Sequence, residues 1–232
     1  MMVKKRYILI ICLACLFVPR SMLSLILKKE SPSHLVAPSE PTTNKIFLSK
    51  YKAQCLQALA YYPELANAHI EFREASIGTT MAARPIISSF FNTDYERKYE
   101  IIFNNAESCE VPFDELPEEG QVGILGHELA HILDYETKSL GQIILTGCFY
   151  ANAHCIRSYE RSIDKITLER GLGKDLYHAY HYILEDSQAS EKYKAFKMFH
   201  YLKPTEILQK LATYAPSDQP STILPNVNLP RK

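Results

Sequence analysis

The chain of 232 residues has no excess of either charge, because 26 Lys and Arg are matched by 26 Asp and Glu. Basic residues cluster only at Lys4-Lys5-Arg6, so the electrostatic footprint of a nucleic-acid-binding protein is missing. No apolar run reaches the roughly 20 residues needed to span a bilayer unaided. There is no internal repeat, and no low-complexity block beyond one short linker. Cysteine is sparse, and two of the six, Cys12 and Cys15, fall in the amino-terminal segment. Among Cys55, Cys109, Cys148 and Cys155 no pair has the gap of roughly two to four residues that a four-cysteine zinc site needs. In an exported chain these four permit one or two disulfides, and spacing does not choose the pairing. Cys148 and Cys155, expected two turns apart on one helix, are too distant to bridge, so buried thiols are the expectation.

What is present begins with an export signal in outline. Met1 to Arg6 is a basic start, and the apolar run Tyr7 to Val18 matches a signal core of about 7 to 15 residues before Pro19 and Arg20 interrupt it. No clean small-x-small cleavage site follows, and the second apolar patch, Met22 to Leu27, leaves open an uncleaved anchor. Leu13-Ala14-Cys15 is faintly similar to a bacterial lipoprotein cleavage site, although Cys12 precedes it and apolar residues follow. The expectation is an exported protein, periplasmic or held at a membrane facing outward, with lipidation open. Four parts follow: an export signal or anchor at 1–30, a Pro-rich linker at 31–44, a folded body at 45–215, and a tail at 216–232 rich in proline. The body is long enough for one domain with a proper core.

Within it, patterning predicts a helix over 48–61 and strands at 70–74, 81–91 and 99–104. Asn92-Thr93-Asp94 would turn the second strand into the third, and Pro85 suits an edge position. An acidic connector, 112–119, leads into a helix over 117–135. A long helix over 140–170 follows, stopped by Gly171 and Gly173, then one over 175–201 broken near Asp186, and a short one opening at Pro204. This is an α+β pattern: a small antiparallel or mixed sheet packed on a mainly helical domain.

The chemistry sits in His127-Glu128-Leu129-Ala130-His131. Two imidazoles four residues apart lie one turn above each other on one helix face, so both reach a single metal ion at about 2.0 to 2.1 Å. Glu128, beside the first, is badly placed to bind that ion but well placed to take a proton from water next to it. Val122, Leu125, Leu129, Ile132 and Leu133 form a core-facing stripe, while Gly123, His127, His131 and Asp134 share another face. The bland alternative is an amphipathic helix with two solvated histidines. Gly123 and Gly126 cost such a helix about 1 kcal/mol each relative to Ala, which implies a local reason such as close approach of a strand or of substrate.

A catalytic zinc takes three protein ligands and keeps one position for water. Glu160 is the best third ligand. It lies between Ile156 and Ile163 on an inward helix face, where a carboxylate is costly unless paired or bound to metal. Asp164 shares that face and would orient a ligand; the alternative is a solvated face on which Arg161 and Asp164 pair. His154 is the rival third ligand, at a spacing tolerated in three-histidine peptidases such as the SprT-like group, but it falls on a different helix face from Glu160.

These residues resemble the gluzincin metallopeptidases, in particular the minigluzincins and the CaaX prenyl endopeptidases, over about 81–173. The resemblance implies a zincin-like fold with an active-site helix, Zn2+ as cofactor, His127, His131 and Glu160 as zinc ligands, Glu128 as general base and Asp164 as the acid behind a ligand. Ile163 stands where that family often has a small residue. The implied function is a zinc-dependent endopeptidase acting on peptides or proteins, with 99–104 as the edge strand that takes an extended substrate and an oxyanion donor among Tyr177, His178, Tyr180, His181 and Tyr182. The alternative is a zinc-stabilised, non-catalytic protein-binding module.

Overall fold

The computed structural model describes residues 43–91 and 97–214. The expected export segment, most of the linker, the Asn92-Thr93-Asp94 turn and the tail lie outside these residues. Four strands form one mixed sheet in the order β1-β2-β4-β3, where β1 is Lys45–Ile46, β2 His69–Ala75, β3 Met81–Pro85 and β4 Lys98–Asn104. β1, β2 and β4 are parallel, and β3 runs antiparallel to β4. Ile70 pairs with Tyr99 and Phe72 with Ile101, and all four are buried. This alternation seats one face of the sheet on the helices.

Two expectations for the sheet need correction. The strand predicted over 81–91 stops at Pro85 and gives way to a tight turn, Ile87–Phe91. Ser89 ends the ladder: its hydroxyl donates to the Ile86 carbonyl and accepts the Lys98 N–H, taking the place of a strand partner. The segment 99–104 is not an edge, because β4 is flanked by β2 and β3. The two edges are β1 and β3, and β3 is where Pro85, lacking an N–H, is tolerated. Thr80 O accepts from Asn104 N and Ile86 N donates to Lys98 O, so even-numbered residues of β3 face β4. Met81, Ala83 and Pro85 therefore face the open side.

Seven helices accompany the sheet among the described residues: α1 (Lys52–Leu59), α2 (Glu118–Glu136), α3 (Leu140–Phe149), α4 (Ala153–Thr167), α5 (Gly173–His181), α6 (Glu191–His200) and α7 (Pro204–Tyr214). None is long and apolar enough to cross a membrane. α2 matches its prediction within a residue, but it is no half-buried amphipathic helix: every residue from Gly120 to Ile132 is buried. β3, α1, α4 and α5 pack around it. Arg97 at the mouth of β4 donates to the carbonyls of Tyr135, Glu136 and Lys138, which satisfies the open end of α2 and ties it to the sheet.

The helix predicted over 140–170 is in fact two. Asn152 adopts an extended conformation and its side chain accepts the N–H groups of His154 and Cys155, so it caps a new helix instead of continuing the old one. Cys148 and Cys155 thus lie on different helices. No disulfide forms among the described cysteines; Cys55 is buried, whereas Cys148 is half-buried and Cys155 exposed, so the expectation of buried thiols fails for that pair. Gly171, at φ 91°, lets the chain turn from α4 into α5. The helix expected over 175–201 breaks fully at 187–190, and Ser190 caps α6.

Of the three glycines in α2, Gly123 and Gly126 have different reasons. A Cβ on Gly123 would stand 2.3 Å from the backbone carbon of Asp175 and 2.4 Å from Leu176 N, so helix α5, and not a strand or a substrate, lies against it. A Cβ on Gly126 would clash with the end of the Leu172 side chain and touch no backbone, while the Gly126 carbonyl accepts from the buried Tyr62 hydroxyl at 2.7 Å. Gly123→Ala should therefore destabilise the domain by about 1 to 3 kcal/mol through overpacking. Gly147→Ala in α3, where an added Cβ meets nothing within 4 Å, should hold stability or raise it by up to about 1 kcal/mol. Urea unfolding midpoints of the two variants check the contrast.

Candidate metal site

Helices α2 and α4 cross with their polar residues facing each other in the interior. His127, Glu128 and His131 come from α2, Glu160 and Asp164 from α4, and all five are buried. His127 Nε2 and His131 Nε2 are 3.2 Å apart, and Glu160 Oε2 lies 3.2 Å from the first and 3.3 Å from the second. A tetrahedral ion with bonds of about 2.0 Å has ligand-to-ligand edges of about 3.3 Å. The three atoms thus form one face of such a tetrahedron, and the group can hold a metal ion.

The far nitrogen of each imidazole explains why the near ones converge. His127 Nδ1 lies 2.9 Å from Asp164 Oδ1. Asp164 also accepts the Tyr180 hydroxyl and the Leu202 N–H, each at 2.7 Å, so it is an anchored acceptor with no exposure to solvent. His131 Nδ1 lies 3.3 Å from the Tyr159 hydroxyl. That hydroxyl donates to Asp134 Oδ2 at 2.7 Å, so toward His131 it can only accept. Lys138 completes this chain with a 2.6 Å bond to Asp134. Both rings are thereby set to carry hydrogen on Nδ1, and both Nε2 lone pairs point at Glu160 Oε2.

Two lone pairs and a carboxylate oxygen facing one another in a dry interior need a cation between them. Left unpaired, each such group costs about 1 to 3 kcal/mol. Without metal a proton takes part of that role. Burial opposes charge on His127, but the bonds to Asp164 and Glu160 outweigh it and push its pKa up to about 10. Burial likewise raises Glu160, and the neighbouring His131 and His127 more than reverse this, holding its carboxyl well below the usual range. The pocket is thus built for positive charge.

Glu128 does not join the three ligand atoms. Its Oε2 accepts the Ala83 N–H of the edge strand at 2.6 Å, which sets the carboxylate between α2 and the open side of β3. The rival ligand His154 is exposed and stacks edge-on against Phe199, so it does not reach the group. Of the expected oxyanion donors, Tyr180 spends its hydroxyl on Asp164, and Tyr177, His178 and His181 pack on one another. Arg161 pairs with Glu206 and also donates to the Tyr201 carbonyl; it does not pair with Asp164.

No protein-family model, curated protein or solved structure matches this chain.

Four tyrosines and an aspartate of the site escape sequence reasoning in different ways. Tyr159 adjoins Glu160, and Asp134 was placed on the histidine face of α2, but nothing in the pattern connects them. Tyr150, whose hydroxyl bonds Glu160 Oε1 at 2.6 Å, stands in the α3–α4 turn, and the Asn152 cap was the signal for that turn. Tyr180 stood among the oxyanion candidates rather than as a partner of Asp164. Tyr201 follows α6, its ring 5.6 Å from that of His127 and 4.4 Å from Lys197 Nζ. Burial and the nearby Glu160 and Glu128 carboxylates push its hydroxyl well above the usual range, so it stays neutral and able to donate.

His127→Ala and His131→Ala should each abolish stoichiometric metal binding, Glu160→Ala should lower affinity more than Asp164→Asn does while leaving it measurable, and His154→Ala should leave it intact. Asp164→Asn should weaken it by about 10-fold to 100-fold. Elemental analysis and competition with a chelator measure the series. Metal binding must also displace the proton on His127, so affinity should rise with pH from 6 toward about 10 and binding should release protons. Calorimetry in buffers of different ionisation enthalpy detects that release; proton uptake would contradict it.

Proposed function

We propose that the protein is a zinc-dependent endopeptidase with a zincin-like arrangement of active-site helix and edge strand. The observation that carries this reading is that a non-ligand carboxylate, Glu128, sits between a buried His-His-Glu group and the open edge of a sheet. Imidazole and carboxylate donors at tetrahedral spacing suit zinc, and three protein ligands leave a fourth position open. When bound, zinc would supply a more acidic water and polarisation of a carbonyl group.

The chain's own residues do the rest. An extended peptide adds to β3 through the outward groups of Met81, Ala83 and Pro85, which runs its backbone past Glu128. A substrate carbonyl that takes the Ala83 N–H frees Glu128 Oε2 from its only hydrogen-bond partner among the described residues. Glu128 then accepts a proton from the attacking water and passes it to the leaving amine. The Tyr201 hydroxyl, held neutral and with its ring 5.6 Å from that of His127, serves as the donor to the oxyanion. The basic and apolar amino terminus supports an exported or membrane-held setting, with peptides or proteins as substrate.

The bond from Ala83 to Glu128 also favours a second reading, in which the carboxylate is a structural clamp and the groove only binds a partner. Glu128→Gln separates the two. In an endopeptidase this variant keeps its zinc and loses cleavage of unfolded protein by about 10²-fold to 10⁴-fold. Forms lacking residues 1–44 or 216–232 are assayed beside the full chain, so that a segment covering the groove does not mask activity. If no zinc-loaded form cleaves anything that the Glu128→Gln protein leaves whole, the binding module stands instead.

A further inference from the structure

Glu160 has two carboxylate oxygens, and the structure gives them different duties. Oε2 faces the two imidazole nitrogens at 3.2 and 3.3 Å. Oε1 accepts the Tyr150 hydroxyl at 2.6 Å. Tyr150 lies outside the helix that bears Glu160: it is the first residue past α3, and the Asn152 cap separates it from α4. Its ring is edge-on to Tyr159, whose own hydroxyl bridges His131 and Asp134. The two neighbouring phenols thus serve different ligands, one orienting an imidazole and the other holding a carboxylate.

We propose that Tyr150 is a positioning residue that commits Glu160 to the metal through a single oxygen. The proposal rests on the metal-site reading above. A carboxylate with an unoccupied second oxygen can swing to bind an ion through both, because its oxygens are only about 2.2 Å apart and ligand bonds to oxygen are about 2.0 to 2.2 Å. The second oxygen would then crowd the position that water or a substrate carbonyl must use. A donated hydrogen bond to Oε1 opposes this. It occupies the lone pair that would otherwise turn to the metal, and as a bond to a charged acceptor it is worth about 1.5 to 3 kcal/mol. The phenol is suited to the duty: its hydroxyl, 2.6 Å from Oε1, donates without bringing a charge into the group. Lys and Arg would also donate, but their charge would compete with the metal for Glu160.

The test uses the full chain and cobalt(II) as the probe ion, since its visible spectrum reports coordination number without any assay of activity. Tyr150→Phe removes only the hydroxyl and keeps the ring. Wild type is expected to show the strong bands of four-coordinate cobalt, and Tyr150→Phe the weaker bands of a higher coordination number, with affinity lowered by about 10-fold to 100-fold. Tyr61→Phe, at a tyrosine exposed to the same 39%, controls for loss of a phenol elsewhere and should change neither. A second arm holds if Tyr150→Phe folds poorly: in wild type the hydroxyl acts through Glu160, so in a Glu160→Ala background Tyr150→Phe should cost no further affinity for cobalt. An additive loss there, or unchanged spectra and affinities for Tyr150→Phe alone, overturns the proposal. Wild type that binds no cobalt overturns the metal site itself, a result that no comparison of the Tyr150 variants could produce.

Discussion

Everything around α2 follows from placing two imidazole lone pairs and a carboxylate oxygen within 3.3 Å of one another in a buried interior. Such an arrangement is unfavourable unless positive charge sits in it, and it persists because each ring is held from behind. Asp164 holds His127 and is itself held by Tyr180 and Leu202; Tyr159 holds His131 and is held by Asp134 and Lys138. Apart from the bond between Tyr159 and His131, each link is a hydrogen bond to a carboxylate, the stronger kind. The supporting residues come from α2 and the turn after it, α4, α5 and the segment after α6, so the site is also a junction of the fold.

That junction needs α2 to be surrounded. A helix buried on all sides has no solvent face to spend on polar residues, so its polar residues must be paired inside. Gly123 allows the backbone of α5 to approach closely enough to bring Tyr180 to Asp164, and Gly126 leaves its carbonyl open to Tyr62. The glycines weaken α2 as an isolated helix and are recovered through packing, the usual source of helix stability in a folded domain.

The sheet takes part through one strand. Because β3 is an edge, the outward N–H of Ala83 is available to Glu128, and the same outward groups are the ones an added strand would use. Glu128 thus stands where a group that could hold a metal ion and an open backbone edge meet. An interior strand such as β4 has no such groups to offer, since both its sides are paired.

Spacing along one helix is a local property, and the sequence by itself determined what depends on it: the extent of α2, the common face of His127 and His131, the inward aspect of Glu160 and Asp164, and the mixed α+β character of the body. It also placed Pro85 at an edge, because a missing N–H is a local fact. Only the tertiary structure decided which strand is the edge, since strand order depends on pairings between distant segments that no local pattern encodes. It likewise decided that α5 packs on Gly123, that Asn152 starts a new helix, and that Tyr150, Tyr159 and Tyr201 gather at His127, His131 and Glu160. Those tyrosines sit at three separate points of the chain, and a phenol looks the same in sequence whether it fills a core or holds a carboxylate. The partner at the end of its hydroxyl tells them apart, and that partner is chosen by the folding of the whole domain.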